Sequence, residues 1–204
     1  MWNNLANEQT IETTIAALKE NGIDAITAEN GEDAKKKVLE LLPKGAEVMD
    51  MTSVTLDTIG VSEAINKPGE YNAVKSALMK LDREKDHLEM QKLGAAPEWA
   101  VGSVHAVTED GKVVVASFTG SQLPAYAYGS AHVIWVVGTQ KIVKNLDDAM
   151  KRINDHVLPL ETTRARKAYH APEFNSHVSK ILIVDKEIVP KRITIVFVKE
   201  QLGF

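Results

Sequence analysis

The chain has 204 residues, of which 44% are hydrophobic and 25% charged, with a formal net charge of −4 and no cysteine. That length suits one substantial α/β core or two small domains. The mild negative charge gives no general attraction to nucleic acid or to an anionic membrane, so any anion site must be local. Without cysteine the chain has no disulfide, no thiolate-held zinc or iron–sulfur cluster and no thiolate nucleophile of its own, and a cytoplasmic setting fits.

The first twenty residues lack a basic stretch followed by an apolar one, so they do not read as a signal peptide. Leu5, Ile11, Ile15 and Leu18 instead recur at helical spacing, and Asn21-Gly22 stops the helix. Ile23–Ala28 reads as a short strand. Asn30 caps a helix over 31–42, with Ala34, Val38, Leu41 and Leu42 apolar, which Pro43 and Gly45 end. Ala46–Met49 is a second short strand, and Thr52 or Ser53 caps a helix running to about Ile59 and Gly60. After the Lys67-Pro68-Gly69 turn, a charged helix is expected to face a core with Leu78, Leu81, Leu88 and Met90, leaving the charges of Asp82–Glu89 in solvent. Ala100–Thr108 and Lys112–Ser117 read as a hairpin across Glu109-Asp110-Gly111. The loop Thr119-Gly120-Ser121-Gln122, an Ala/Tyr-rich helix and a strand over 132–137 follow. Helices over Leu146–Val157 and Leu160–Tyr169 and late strands at Lys180–Val184 and Arg192–Val198 complete the chain. No run approaches the ~18 apolar residues of a membrane span. The alternation predicts a single α/β domain with a largely parallel sheet and some antiparallel pairs.

In such folds ligands bind where strand carboxyl ends converge, and two hydroxyl-rich strand ends stand out. Thr52, Ser53 and Thr55, with the N–H groups of the following helical turn, can grip a phosphate or carboxylate; the plainer alternative is a helix cap worth about 1 kcal/mol. In the second, Gly120 lets backbone approach a ligand, Ser121 can cap the next helix and Gln122 can make a specific hydrogen bond, or the four residues are simply a tight turn. The two loops are expected to face each other across a cleft. Lys141, just past the strand over 133–137, would bring positive charge to the same edge. Arg164 and Arg166 lie on a predicted helix and either clamp an anion or form a solvated face. His105 shares a strand face with Val101 and Ser103 and is either a general acid/base or a hydrogen-bonded core histidine; Asp50 and Asp57 are candidates for a base by position. His170 and His177 read as solvated. The chain lacks an HExxH or HxH metal spacing, a Walker loop, a GxGxxG turn, a GxSxG elbow and a paired-carboxylate signature, so neither a metal nor a cofactor is expected.

The segments GSVHAVTEDGKVVVASFTGSQLPAYAYGSAHVIWVVGTQKIV, PLETTRARKAY and RITIVFVKEQLGF carry a resemblance. Together they resemble the LUD domain family, the lactate-utilisation-type proteins, closely over about 46–204 and more loosely over 1–45. The resemblance implies a three-layer α/β fold of the NagB/RpiA/CoA-transferase-like group, whose members include sugar-phosphate isomerases, deaminases and CoA transferases. In that group strand-end loops of small and hydroxyl residues hold phosphate or an acyl carrier; residues 52–55 and 119–122 occupy comparable places here, and the catalytic glutamate of the CoA transferases finds no counterpart. It also implies organic-acid utilisation beside iron–sulfur redox partner proteins, and it is compatible with a homodimer. Three functions follow as expectations. The leading one is binding of a small anionic ligand in a lactate or organic-acid setting; the others are an isomerase- or CoA-transferase-like enzyme, and a non-catalytic subunit of a redox complex.

Overall fold

The computed structural model describes residues 2–204. At its centre lies a six-stranded, all-parallel sheet in the order β1 (Asp24–Ala28), β10 (Ile193–Val198), β7 (His132–Gly138), β4 (Trp99–Gly102), β2 (Glu47–Asp50) and β3 (Asn72–Ala73). Near-continuous β-branched runs suit strands covered on both faces, and β7 and β10 are such runs. Val133, Trp135 and Val137 join Ile193, Ile195 and Phe197 in one core, while Ile134, Val136, Val196 and Val198 turn to the other.

Each face has its own cover. Helices α2 (Gly31–Leu41), α3 (Val54–Thr58) and α4 (Val61–Asn66) pack through Ala34, Val38, Leu56, Val61 and Ile65. On the opposite face lie α1 (Glu8–Glu20), through Leu18, and a second sheet, through Val107, Val113 and Val115. That sheet runs β8 (Ile142–Val143), β5 (Ala106–Thr108), β6 (Val113–Ser117), β9 (Lys180–Val184); β5–β6 and β6–β9 are antiparallel and β5–β8 parallel. The parallel sheet thus forms the middle of three layers, as expected for this α/β class. Helix starts are set by side-chain caps: Asn7 accepts from the Thr10 N–H, Asn30 from Asp33, Ser53 from Leu56 and Asn145 from Asp148.

The structure departs from the sequence reading in four places. The predicted strand over 100–108 is broken: β4 ends at Gly102 in the parallel sheet and β5 begins at Ala106 in the second one. Only the β5–β6 part is a hairpin, turning at Gly111 with φ of 82°. β6 consequently leads the 119–122 loop out of the second sheet, not the parallel one. The charged helix is two short ones, α5 (Val74–Leu78) and α6 (His87–Ala95). The Asp82 carboxylate accepts from the N–H groups of Glu84 and Lys85, a local turn that competes with helix. α6 buries no residue, and Leu88 is exposed instead of facing a core. Finally, the two helices expected over 146–157 and 160–169 are continuous. α7 (Leu146–Arg152) passes through a π turn at 153–157 into α8 (Leu158–Ala168), and the Leu158 N–H bonds back five residues to Ile153. Pro159 follows at once; widening the turn before it relieves the clash its ring makes in a regular helix. This long helix covers the outer face of the second sheet, with Ala149 and Ile153 against Ala106, Val114 and Ala116.

Candidate functional site

β4 and β7 are neighbours in the parallel sheet (Gly102 opposite Trp135), and their continuations β5 and β8 are neighbours in the second (Val107 opposite Ile142). The chain therefore crosses between the sheets twice, side by side, at Ser103-Val104-His105 and at Thr139-Gln140-Lys141. Both crossings leave carboxyl ends of parallel strands. Where the ladders part, backbone groups need new partners.

Lys141 supplies one. Its Nζ lies 3.2 Å from the Val104 carbonyl, 3.1 Å from Ser103 Oγ and 3.2 Å from Thr55 Oγ1. The residue is 2% exposed. All three neighbours are neutral oxygens, so no carboxylate offsets the ammonium charge. Burial, and secondarily the positive charge of Arg152, pulls the amine down from its usual value to about 7. Arg152 is the second cation here. It has no exposed surface; Nη1 donates to the His105 carbonyl at 2.6 Å, while Nε and Nη2 have no partner. Consecutive carbonyls of one crossing, Val104 and His105, thus each hold a buried cation.

The contrast with other buried charges is sharp. Arg192 bonds the Glu187 carboxylate and the carbonyls of Ala125, Tyr126 and Ser130. The buried Asp50 carboxylate meets Lys75 Nζ at 2.6 Å and the Asn66 amide at 3.0 Å. Of the three buried basic residues among those described, Lys141 and Arg152 alone lack an acidic partner.

The segment after β10 closes the site. The Leu202 carbonyl accepts from Thr55 Oγ1 at 3.3 Å and from the Gln140 amide at 2.9 Å. Gly203, at φ of 61°, lies so close that a Cβ there would collide with Thr55 Oγ1 and sit 3.4 Å from Lys141 Nζ.

The structure thus brings together two of the residues singled out in the sequence, Lys141 and Thr55. Thr52 is exposed at the start of α3, and Ser53 caps that helix. The 119–122 loop bonds mostly to itself: Thr119 to Ser121, Gln122 to the Ser117 hydroxyl, and the Gly120 N–H to the same hydroxyl at 2.8 Å. None of its hydrogen bonds reaches the Lys141 group. His105 Nδ1 accepts the Ala116 N–H at 3.1 Å, and burial, aided by Lys141 and Arg152, drives its pKa down to about 3. It is a neutral imidazole with its proton on Nε2, beside a small pocket shared with Ser117, Glu161, Ser176 and His177. Asp50 is engaged by Lys75 and Asn66, and Asp57 is exposed on α3. Arg164 grips Glu161 through two bonds of 2.7 Å, and Arg166 clamps Phe174 and Asn175 after α8, so both arginines have structural partners. A groove of about 600 Å³ lies elsewhere, along β3 between Tyr71, Lys67 and Lys80, and carries no buried charge. Among the described residues no cluster of three or more His, Asp or Glu is placed to hold a metal.

Sequence reasoning passed over Ser103, Arg152 and the 202–203 segment. Arg152 did leave a signal. It stands three residues after Ala149, on the stripe of a helix that otherwise turns apolar residues to the core.

The fold and this site define a class: a three-layer α/β protein with buried cations at the carboxyl edge of its parallel sheet. The chain belongs to the LUD domain family, whose model matches residues 11–198. A solved structure of a DUF162 family protein from Deinococcus radiodurans has the same fold, with a TM-score of 0.60 at 9% identity, covering 96% of this chain and 99% of that one. No curated protein matches the chain significantly. No helix among the described residues is long and apolar enough to cross a membrane.

Proposed function

We propose that the protein binds a small organic acid or phosphate ester at the carboxyl edge of the parallel sheet, with Lys141 and Thr55 as direct contacts and Arg152 as a second cation. One observation carries this reading: two basic side chains, each bonded to a carbonyl of the 103–105 crossing, are buried without a carboxylate. Holding an uncompensated cation out of water costs several kcal/mol, and an anionic ligand is the partner that offsets it. Thr52 and Ser53, at the start of α3, extend the same edge. With no cysteine in the chain, any iron–sulfur step in organic-acid oxidation falls to partner proteins.

Isothermal titration with lactate, pyruvate, a sugar phosphate and coenzyme A tests it. A small acid or phosphate ester is expected to bind, and Lys141→Met to weaken it by at least about tenfold, the loss typical of removing one side of a buried charge pair. No binding by any of the four to a folded protein would overturn the reading.

A further inference from the structure

We propose that β9, the open edge of the second sheet, pairs antiparallel with β9 of a second copy of this chain, so that two four-stranded sheets become one across a two-fold axis at Leu182. The inference is independent of the anion-binding reading above.

Sheet edges carry unpaired N–H and C=O groups, and folded proteins keep such edges short or guard them. The two sheets have four edges, β1, β3, β8 and β9. β3 and β8 are two residues long. β1 is guarded. Alternate residues of a parallel strand face the neighbour; the Ala28 carbonyl accepts the Lys199 N–H after β10, so Thr27 turns its carbonyl outward, where Lys37 Nζ caps it at 2.8 Å. β9 has neither device. It runs five residues, KILIV, paired along one side with β6, with no proline and no charge after Lys180. Its outer face is bare as well. Ile181 and Ile183 stand opposite Ala116 and Val114, on the face covered by the long helix. That cover stops short of β9 and leaves the two isoleucines 39% and 45% exposed. With Ile188 and Val189, four of the twelve large apolar residues exposed among those described fall within 181–189, which singles out this edge.

The strand itself points to a second copy as the occupant. Its apolar pattern is symmetric about Leu182, with an isoleucine on each side, and an isologous contact needs such self-complementarity. Its two ends differ in charge. Lys180 stands at one; at the other Asp110 and Asp185 share Lys112, a net negative group. A parallel copy would set like ends together, whereas an antiparallel copy brings each Lys180 to the end that holds the partner's Asp185. The register follows from the faces. A two-fold axis normal to the sheet joins outer face to outer face when opposite residues have the same parity, so it passes through a residue. Placed at Ile183, it would set Ile181 against the partner's Asp185 and Lys180 against the partner's Lys186. Placed at Leu182, it sets each Ile181 opposite the partner's Ile183, which gathers four isoleucines on one face.

Sedimentation of the whole protein, paired with amide exchange, decides it. A five-residue edge makes a small interface, so a reversible dimer is expected, its mass moving from 22.4 kDa at about 1 μM toward twice that at about 200 μM. Over the same range, exchange at 180–184 of the unaltered chain is expected to slow several-fold. Ile183→Lys, at an exposed position, brings two ammonium groups into the isoleucine cluster and is expected to weaken the dimer by at least about tenfold. Ile26→Lys, on the guarded β1 edge, is expected to leave it unchanged. A monomer at every concentration overturns the proposal. So does a dimer that survives Ile183→Lys, or one that forms while exchange at 180–184 stays independent of concentration. The exchange measurement needs no variant, so it decides even where Ile183→Lys does not fold.

Discussion

At the scale of single residues, the site is a place where the fold tolerates a cost. Arg152 and Lys141 are long basic side chains drawn into a junction between two sheets, and each satisfies a carbonyl that the parted ladders leave free. That service needs a hydrogen-bond donor, not a charge. The excess charge is therefore a liability in the unliganded protein, and truncating it is expected to be tolerated or favourable. Arg152→Gln, which drops the charge but keeps an N–H donor for the His105 carbonyl, is expected to leave the free protein at least as stable in urea denaturation, while weakening organic-acid binding and moving the Lys141 amine back toward its usual value. Destabilisation together with unchanged binding would mean Arg152 serves packing alone. His105 illustrates the opposite solution. It gives its Nδ1 lone pair to the Ala116 N–H and stays neutral, so it shapes the junction without adding charge.

At the scale of elements, the junction exists because β4 and β7 each stop and change sheets. Composition hides this. Residues 99–108 read WAVGSVHAVT, largely apolar, and a strand that leaves one ladder and enters another keeps the same period of two. The break falls at Gly102, whose missing Cβ makes room for the Tyr126 ring. α1, α2, β7 and β10 were legible because caps and β-branched runs are local features. The long-range placement of Ser103, Arg152 and Gly203 was not, since each meets Lys141 or its surroundings only through tertiary packing. Lys141 and Thr55 were legible as strand-end residues, though nothing local said they would touch. The segment after β10 is the element that closes the junction, and Gly203 is its tightest point. Gly203→Val places a branched side chain at positive φ and against Thr55, a conformation costing L residues roughly 1–2 kcal/mol before any collision. The variant is expected to release 201–204: faster amide exchange confined to that segment, and Lys141 labelled by an amine reagent that leaves it untouched in the unaltered protein. Unchanged exchange and unchanged labelling would show that this segment does not guard the site.

For the whole molecule, burial of neutral bases sets how stability follows pH. Burial holds the Lys141 amine at about 7 in the folded protein against an ordinary lysine value of 10.5, and His105 at about 3 against 6.5. In both cases the unfolded chain holds a proton that the folded one has released, so stability must rise with pH across each window: from about 3 to 6.5 for His105 and from about 7 to 10.5 for Lys141. The contribution is complete above the unfolded value and is lost as pH falls through the folded one. At about 1.4 kcal/mol per unit, the Lys141 window alone is worth on the order of a few kcal/mol. Two effects oppose it only at the alkaline end. Tyr126, buried against Trp135, has its phenol pushed well above the usual value, so the unfolded chain ionises first beyond about pH 10. Lys112, held by Asp110 and Asp185, and Lys199, held by Glu8 and Glu29, lose their ion pairs only above the ordinary lysine range. The denaturation midpoint is therefore expected to climb from pH 7 to about pH 9 and to turn over past pH 10. In Lys141→Met the climb between pH 7 and 9 should flatten. A bound organic acid should flatten it too, because its charge restores the lysine's hold on its proton and stabilises the complex most near neutrality. A midpoint that falls between pH 7 and 9 in the free protein would mean that Lys141 keeps its ordinary proton affinity despite its burial.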